Sequence, residues 1–424
     1  MRILFINAFD SVGGAAKIAS RLMNGLAEHH QTENYFLVRY KKTSDTKTKT
    51  TVSTFFEKAV EITVGKMTGL LGLQYLYYPF SSNRIMQYAR EVRPDIISLH
   101  NTHGGYFATP LLRKLSQIAP IVWTLHDMWS FTGNAAHTFG NTSWKQLKND
   151  SHLRKIEPSI GINTGAQLLS MKKKIYEQSD ITMVSPSVWL ASMAVESPVF
   201  EGKRIVQIYN GVDESIFHKK DKTACRNKLG LPINGNVIMF SAENISLKNP
   251  WKGGDQLLQI LAKINERSSG KINLLMLGSG DIDEISRFEN LQVFNKGYIR
   301  EETAMCDALN AADIFIYPTK ADNLPNILIE AIACGTPCVT FNIGGNPEII
   351  VNAVNGYIIE PFNFEDFADK TSELLCDPQK LNEFSGNAIH VAQNKFKLKD
   401  MVEEYFELFS TLKTALIEPA VKKQ

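Results

Sequence analysis

The stretch from Asp313 to Pro347, DIFIYPTKADNLPNILIEAIACGTPCVTFNIGGNP, carries the densest set of residues able to hold an anion and a sugar. An apolar strand pattern ends at Pro318, a loop brings Asp322, Asn323 and Leu324, and Pro325 takes the favoured first position of a helix that Gly335 and Pro337 close. Such a helix aims unpaired N–H groups and the positive end of its dipole at the carboxyl edge of a parallel sheet. Open α/β sheets bind ligands there, and a diphosphate suits that field. Glu330 follows Asn326 by four residues, so both side chains share a helix face, and a carboxylate can grip a ribose through two hydroxyls. The plainer reading makes Asp322 and Asn323 a capping pair and Glu330 a surface residue.

Further phosphate-binding features stand at corresponding places. Gly13-Gly14 follows the first strand pattern and opens a helix, where backbone amides can approach an anion unobstructed. Lys252-Gly253-Gly254 opens another helix, and a cation at a helix N-terminus is unfavourable unless an anion lies between them. Lys248 precedes this triplet and is a candidate for the same site, although alone it reads as a solvated loop charge. His126-Asp127 ends a strand and leads into the aromatic loop MWSFTG, where a histidine can exchange hydrogen bonds near neutral pH. Gly297-Tyr298 places an aromatic ring at a strand end, suited to flanking a base or to packing. His100, His103, His126 and His137 match no zinc spacing, so no metal site is expected, and His100 and His103 read as structural or surface residues.

Elements that could position these groups alternate along the chain as α/β units with parallel sheets. Strands are expected at 3–7, 35–38, 96–99, 121–125 and 181–184, with helices near 15–28, 84–91, 111–118 and 165–178. A strand pattern in RIVQIYNGVD runs into Asn210-Gly211, which sets a domain boundary at residue 210. The rhythm restarts with strands at 237–241, 273–277, 292–295, 314–317, 338–341 and 357–359, and helices at 253–264, 301–310, 325–334 and 364–375. Domains are expected at 1–210 and 211–390. A helical tail at 391–424 includes an apolar stripe, Met401 to Phe409, that must pack on something already built. Residues 129–161 and Lys41–Thr51 read as loops.

At 424 residues, 44% hydrophobic and 21% charged, the chain is a folded globular protein of more than one domain. Five scattered cysteines without a CxxC pair fit reduced thiols. The start, MRILFINAF followed by Asp10, lacks the pattern of a secretion signal, and no apolar run reaches membrane-spanning length. The expected location is therefore cytoplasmic. The net charge of +2 conceals a split: residues 1–210 hold 24 Lys and Arg against 15 Asp and Glu, whereas the rest hold 22 against 29. The basic half could face anionic lipid or a phosphorylated acceptor, or be merely solvated. Phe55 to Phe80 interleaves aromatic and aliphatic residues with few charges, and reads either as a helical surface touching a bilayer or lipid-linked acceptor, or as core.

The run 313–356, with Gly13-Gly14, His126-Asp127, Asn210-Gly211-Val212-Asp213 and Lys252-Gly253, resembles the retaining glycosyltransferases of family 4, most closely the bacterial branch that builds surface polysaccharides. The resemblance implies the GT-B fold: two Rossmann-like, doubly wound domains facing a cleft, with C-terminal helices packing back across. It implies a UDP- or GDP-linked sugar as donor, a saccharide or lipid-linked acceptor, no separate cofactor, no metal and no nucleic-acid partner. Separately from the resemblance, the Phe55–Phe80 stretch and the basic half that carries it give the expectation of peripheral contact at the cytoplasmic face of the inner membrane. His126, Lys252 and Asp322 become the catalytic candidates. The donor-binding candidates are Gly13, Gly14, Lys248, Gly297, Tyr298, Asn323, Leu324, Asn326 and Glu330, the last on the ribose. The sequence departs from the family pattern where Asp322 replaces the usual Glu, and where SAEN (241–244) lacks the usual Arg. A non-catalytic sugar-nucleotide-binding partner, a phosphorylase or an epimerase of the same fold remain alternatives.

Overall fold

The computed structural model describes residues 1–247, 251–268, 270–280 and 282–421, with side chains through Ala415. The chain divides into two compact units, residues 1–209 with those from 399 onward, and residues 210–398.

Among the described residues, the first unit is built on a seven-stranded parallel sheet in the order β3-β2-β1-β4-β5-β6-β7. The strands are β1 (Arg2–Phe9), β2 (Glu33–Tyr40), β3 (Thr48–Thr50), β4 (Ile96–Leu99), β5 (Ile121–Thr124), β6 (Ile181–Ser185) and β7 (Arg204–Gln207). Helices cover both faces of a sheet of this kind, so its inner strands must be apolar on both sides. Residues 3–8 of β1 and all of β4, β5 and β6 are indeed buried, whereas the edge strand β7 is half-exposed. The second unit repeats the scheme with six parallel strands, β10-β9-β8-β11-β12-β13. These are β8 (Val237–Ile245), β9 (Ile272–Gly280), β10 (Leu291–Asn295), β11 (Ile314–Tyr317), β12 (Cys338–Phe341) and β13 (Gly356–Ile359).

Strand order decides where ligands can enter. In each sheet the chain runs outward one way and then starts again on the other side of its first strand, so the connections diverge between β1 and β4 and between β8 and β11. Loops leaving the carboxyl ends there splay apart and leave a crevice. Gly13, His100 and His103 follow β1 and β4, while Lys252 and Asp322 follow β8 and β11.

The tail helix, Leu398–Val421, belongs from residue 399 to the first unit. Met401, Val402, Tyr405, Leu408 and Phe409 are buried, Tyr405 Oη lies 2.8 Å from Thr124 Oγ1, and Phe406 stacks on His30 at 3.7 Å. Just before it, Val212 N–H donates to Phe396 O and Leu398 N–H to Val212 O, so both chain passages between the units are stitched together.

Several expectations need correcting. Lys41–Thr51 contains the edge strand β3, in which Thr48 and Thr50 alternate with Lys49 beside Phe36 and Val38. The β-branched residues suit the pleat, and the lysine suits a sheet edge. Residues 129–161 contain three short 3-10 turns, Trp129–Phe131, Ser143–Gln146 and Leu153–Lys155, buried through single large side chains, Trp129, Phe131, Trp144 and Leu153, rather than through a regular period. Pro325 is the N-cap, with φ −69° and ψ 114°, and the helix proper is Asn326–Ala333. Short helices at Val188–Val195, Lys222–Leu229 and Asn346–Ile349 had no clear signal.

Candidate active site

In the second unit, Lys252 stands two residues before the helix Gly254–Arg267, and Asp322 lies in the loop after β11. Two contacts zip these loops together: Trp251 O accepts from Lys320 N–H at 2.8 Å and from Thr319 Oγ1 at 2.9 Å. Gly253 takes φ 70° where a Cβ would come within 1.9 Å of Pro318 O, so only glycine lets the two loops approach this closely. Lys252 Nζ then lies 2.5 Å from Asp322 Oδ2 and 3.0 Å from Tyr317 Oη, and Tyr317 Oη–H donates to the same carboxylate oxygen at 2.6 Å. Asn323 N–H donates to Asp322 Oδ1 at 2.9 Å.

Burial opposes charge at both ends of this cluster, yet the partners win. The Asp322 carboxylate raises the ammonium above its ordinary value, and the ammonium, phenol and amide hold Asp322 below its own. Burial and the Asp322 charge push the Tyr317 phenol upward, so it remains a hydrogen-bond donor. The pair is thus fully ionised at neutral pH, and its cation is partly accessible.

Next in the chain comes the helix Asn326–Ala333, whose N-cap proline supplies no side-chain acceptor. Asn326 Oδ1 accepts from Asn210 Nδ2 at 3.0 Å. Glu330 is buried, which overturns its reading as a surface residue. The helix closes on Gly335, with Gly335 N–H donating to Ile332 O and Thr336 N–H to Ala331 O, the two bonds of a Schellman motif. The turn after β12 reaches the same loop, where Gly345 N–H donates to Asn323 O at 2.7 Å. Leu324 is buried, and Tyr298 is exposed in the loop after β10, next to Gly297. Lys248 lies outside the described residues.

In the first unit, Gly13 is the N-cap of the helix Gly14–His30, whose first turn carries no acidic residue. The carboxyl ends of β4 and β5 bring four polar side chains together. His100 Nδ1 lies 3.0 Å from His126 Nε2, and His103 Nε2 lies 2.5 Å from Asp127 Oδ2. Asp127 also accepts from Trp129 N–H at 2.8 Å. Burial lowers His126 to about 4 and takes buried His100 well below its usual value, so both rings are neutral at pH 7. Burial raises Asp127, but His103 and the Trp129 amide outweigh it and keep it ionised. Lys172, also buried, donates to Trp129 O at 2.5 Å and Thr132 O at 2.9 Å and fixes this aromatic loop. Its ammonium is pushed well down by burial.

The structure therefore assembles Lys252, Asp322, Asn323, Asn326 and Glu330 on adjoining elements of the second unit. In the first unit, Gly13 and Gly14 follow β1 and His126 follows β5, all at carboxyl ends of the sheet. Sequence reasoning missed Tyr317 and set aside His100 and His103. Tyr317 could have been found as the polar tip of an otherwise apolar strand, and His100 as a histidine at the end of β4, the strand beside β5 and its His126. Among the described residues, no group of three or more His, Cys, Asp or Glu is arranged to hold a metal ion. No helix there is long and apolar enough to cross a membrane.

Two family models match the chain, Glycosyltransferase Family 4 over residues 12–216 and Glycosyl transferases group 1 over residues 221–391. N-acetyl-alpha-D-glucosaminyl L-malate synthase of Bacillus anthracis is 25% identical over 55% of the chain, and the match spans only 60% of that enzyme. A putative colanic acid biosynthesis glycosyl transferase, WcaC of Escherichia coli, is 26% identical over 82% of the chain and 85% of its own length. Among solved structures, Anabaena Alr3699/HepE in complex with UDP and glucose superposes with a TM-score of 0.68 over 97% of the chain and all of its own, at 18% identity.

Proposed function

The chain belongs to the glycosyltransferases that these two family models describe, and on that premise we propose that it moves a sugar from a UDP- or GDP-linked donor to a hydroxyl of a saccharide or lipid-linked acceptor, with retention of the anomeric configuration. The observation that carries this reading is the ionised Lys252–Asp322 pair beside the helix that begins at Asn326 and buries Glu330 one turn in.

The energetic problem in such a transfer is departure of a diphosphate while positive charge grows on the sugar. Lys252 Nζ and the first amides of the Asn326–Ala333 helix meet that charge, each preorganised donor being worth about 2–4 kcal/mol in a site shielded from water. A phosphate at Nζ loosens the ion pair and frees Asp322 to accept from sugar hydroxyls, while Tyr317 and the Asn323 amide keep it anionic. Glu330 holds the ribose, and Tyr298, beside Gly297, flanks the base. In the first unit, neutral His126 serves the transferred sugar and the Gly13-Gly14 amides a phosphate. The leaving phosphate itself takes the acceptor proton, so no protein nucleophile is assigned, and the leaving charge is given to Lys252 and the amides rather than to a metal. Similarity to the colanic acid transferase over most of both chains supports surface polysaccharide biosynthesis, with the acceptor met at the cytoplasmic face of the inner membrane.

Thermal shifts with UDP, GDP and their sugars test the donor site. A ligand at 100 times its Kd stabilises by about 2.7 kcal/mol, and Glu330→Ala should abolish the shift. Release of nucleoside diphosphate only with an acceptor present, and a product of unchanged anomeric configuration by NMR, test the reaction. Binding without turnover for any donor and acceptor would contradict it.

A further inference from the structure

Helix Phe55–Leu70 is packed inside out. The one side chain of this helix that is fully buried is a carboxylate, Glu61, which accepts from Arg39 Nη1 at 2.8 Å and from Ser81 N–H and Oγ–H, each at 2.6 Å. Its large apolar residues instead face out: Phe55 is 87% exposed, Phe56 69%, Leu70 67% and Met67 58%, with Ile62 also exposed. At about 100° per residue these five positions fall on one half of the helix surface. The same arc holds the exposed Lys58 and Lys66. Both carboxylates of the helix are engaged elsewhere. Glu61 is sealed in the interior, and Glu57 caps the N-terminus through Ser53 and Thr54 amides and pairs with Arg84. The apolar surface continues beyond the helix at exposed Leu71, Leu73 and Tyr77.

A buried ion pair costs desolvation and contributes little net stability, so this anchoring fixes the orientation of the helix more than it strengthens the fold. That orientation shows solvent several large apolar side chains flanked by ammonium groups, a pattern that fits the headgroup and acyl boundary of an anionic bilayer. We propose that the outward face of this helix, with residues 71–77, is the surface by which the protein lies on an anionic lipid membrane. The basic charge of residues 1–210 supplies the long-range attraction. A cavity of about 560 Å³ opens beside it, lined in part by Ile62, Gly65, Leu70, Tyr75 and Tyr78, and gives a lipid tail or lipid-linked acceptor a recess next to the membrane. The inference deepens the membrane-face reading above and specifies its surface.

Co-sedimentation of the full chain with vesicles is the test, using phosphatidylcholine alone and phosphatidylcholine mixed with phosphatidylglycerol, at low and high salt. Binding should require the anionic lipid and weaken with salt. Phe55→Ser with Phe56→Ser should cut partitioning by about tenfold or more, and Lys58→Ala with Lys66→Ala by roughly tenfold. Because these side chains are exposed, thermal midpoints and nucleoside-diphosphate shifts should stay at wild-type values, and a Phe56→Trp variant should show a blue-shifted emission on vesicles. Absence of binding at low salt, equal binding by the variants, or a concentration-dependent dimer that Phe55→Ser and Phe56→Ser abolish would overturn the proposal, the last by assigning the face to a second copy. A protein that turns over donor with a soluble acceptor but ignores vesicles would sink this inference and leave the transferase reading intact. Vesicle binding without any donor turnover would do the reverse.

Discussion

The two units solve the same topological problem with opposite electrostatics. At the switch point of the second sheet, Lys252 and Asp322 are both ionised and mutually paired, with Tyr317 donating into the same carboxylate. In the first unit, burial strips charge from His100 and His126, which face each other as neutral rings, and the acid beside them, Asp127, is ionised but tied up by His103 and the Trp129 amide. A charged pair with an accessible ammonium can trade its partner for phosphate. A neutral, hydrogen-bonding cluster can orient sugar hydroxyls without repelling or trapping an anion. The electrostatic difference follows from burial: the carboxyl edge of a parallel sheet carries charged or uncharged groups according to whether each titratable group finds an opposite charge.

Breaking the charged cluster should have the largest effect. Lys252→Ala removes the cation proposed to meet the leaving diphosphate and should lower kcat by about 10²–10³-fold, read as nucleoside diphosphate release. Wild-type turnover would remove Lys252 from the chemistry. Acid should next separate the two units. Above its ordinary value of 6.5, His126 is neutral in folded and unfolded chains alike. As pH falls from there to about 4, the unfolded imidazole takes a proton that the folded one refuses, so the first unit loses up to about 3 kcal/mol. Asp322 acts the other way about: its depressed carboxyl contributes stability that is lost only as pH drops below the ordinary 3.8. Hydrogen exchange at pH 7 and 5 should therefore show β4 and β5 loosening while β11 and β12 hold, and equal loosening would contradict the contrast. Tyr317→Phe should cost about 1 kcal/mol in stability, measured by denaturant unfolding, because the charged pair loses one donor but stays intact. The smallest effect is expected from His100→Phe, which keeps an aromatic ring beside His126 but removes the ring nitrogen 3.0 Å from His126 Nε2. It should reduce kcat/KM roughly fivefold with kcat affected more than donor Kd, the mark of a positioning residue.

The parts of this arrangement readable from the sequence are those encoded locally. Strands such as Ile3–Ile6 and Ile314–Tyr317 are apolar without alternation because helices cover both faces, and their spacing by helical segments gave the parallel topology. The helix from Asn326 was legible because Pro325 and Gly335 bracket it. What could not be read depends on partners distant in the chain. Lys252 and Asp322 are 70 residues apart, and His100 and His126 are 26 apart, joined only because their strands become neighbours in the sheet. The residues of Phe55–Leu70 showed that the segment was apolar, but their outward orientation is set by Arg39 on β2, which draws Glu61 inward. Edge strand β3 escaped notice because three residues of Thr and Lys carry no burial signal.

A crystal structure of the chain with UDP or GDP bound will show whether the donor's diphosphate rests against Lys252 and the start of the Asn326–Ala333 helix. A phosphate oxygen is expected within about 3 Å of Lys252 Nζ, with Asp322 released from part of its ion pair and the ribose hydroxyls on Glu330. A nucleotide bound away from this loop and helix, or a Lys252–Asp322 pair left undisturbed by a bound diphosphate, would contradict this placement.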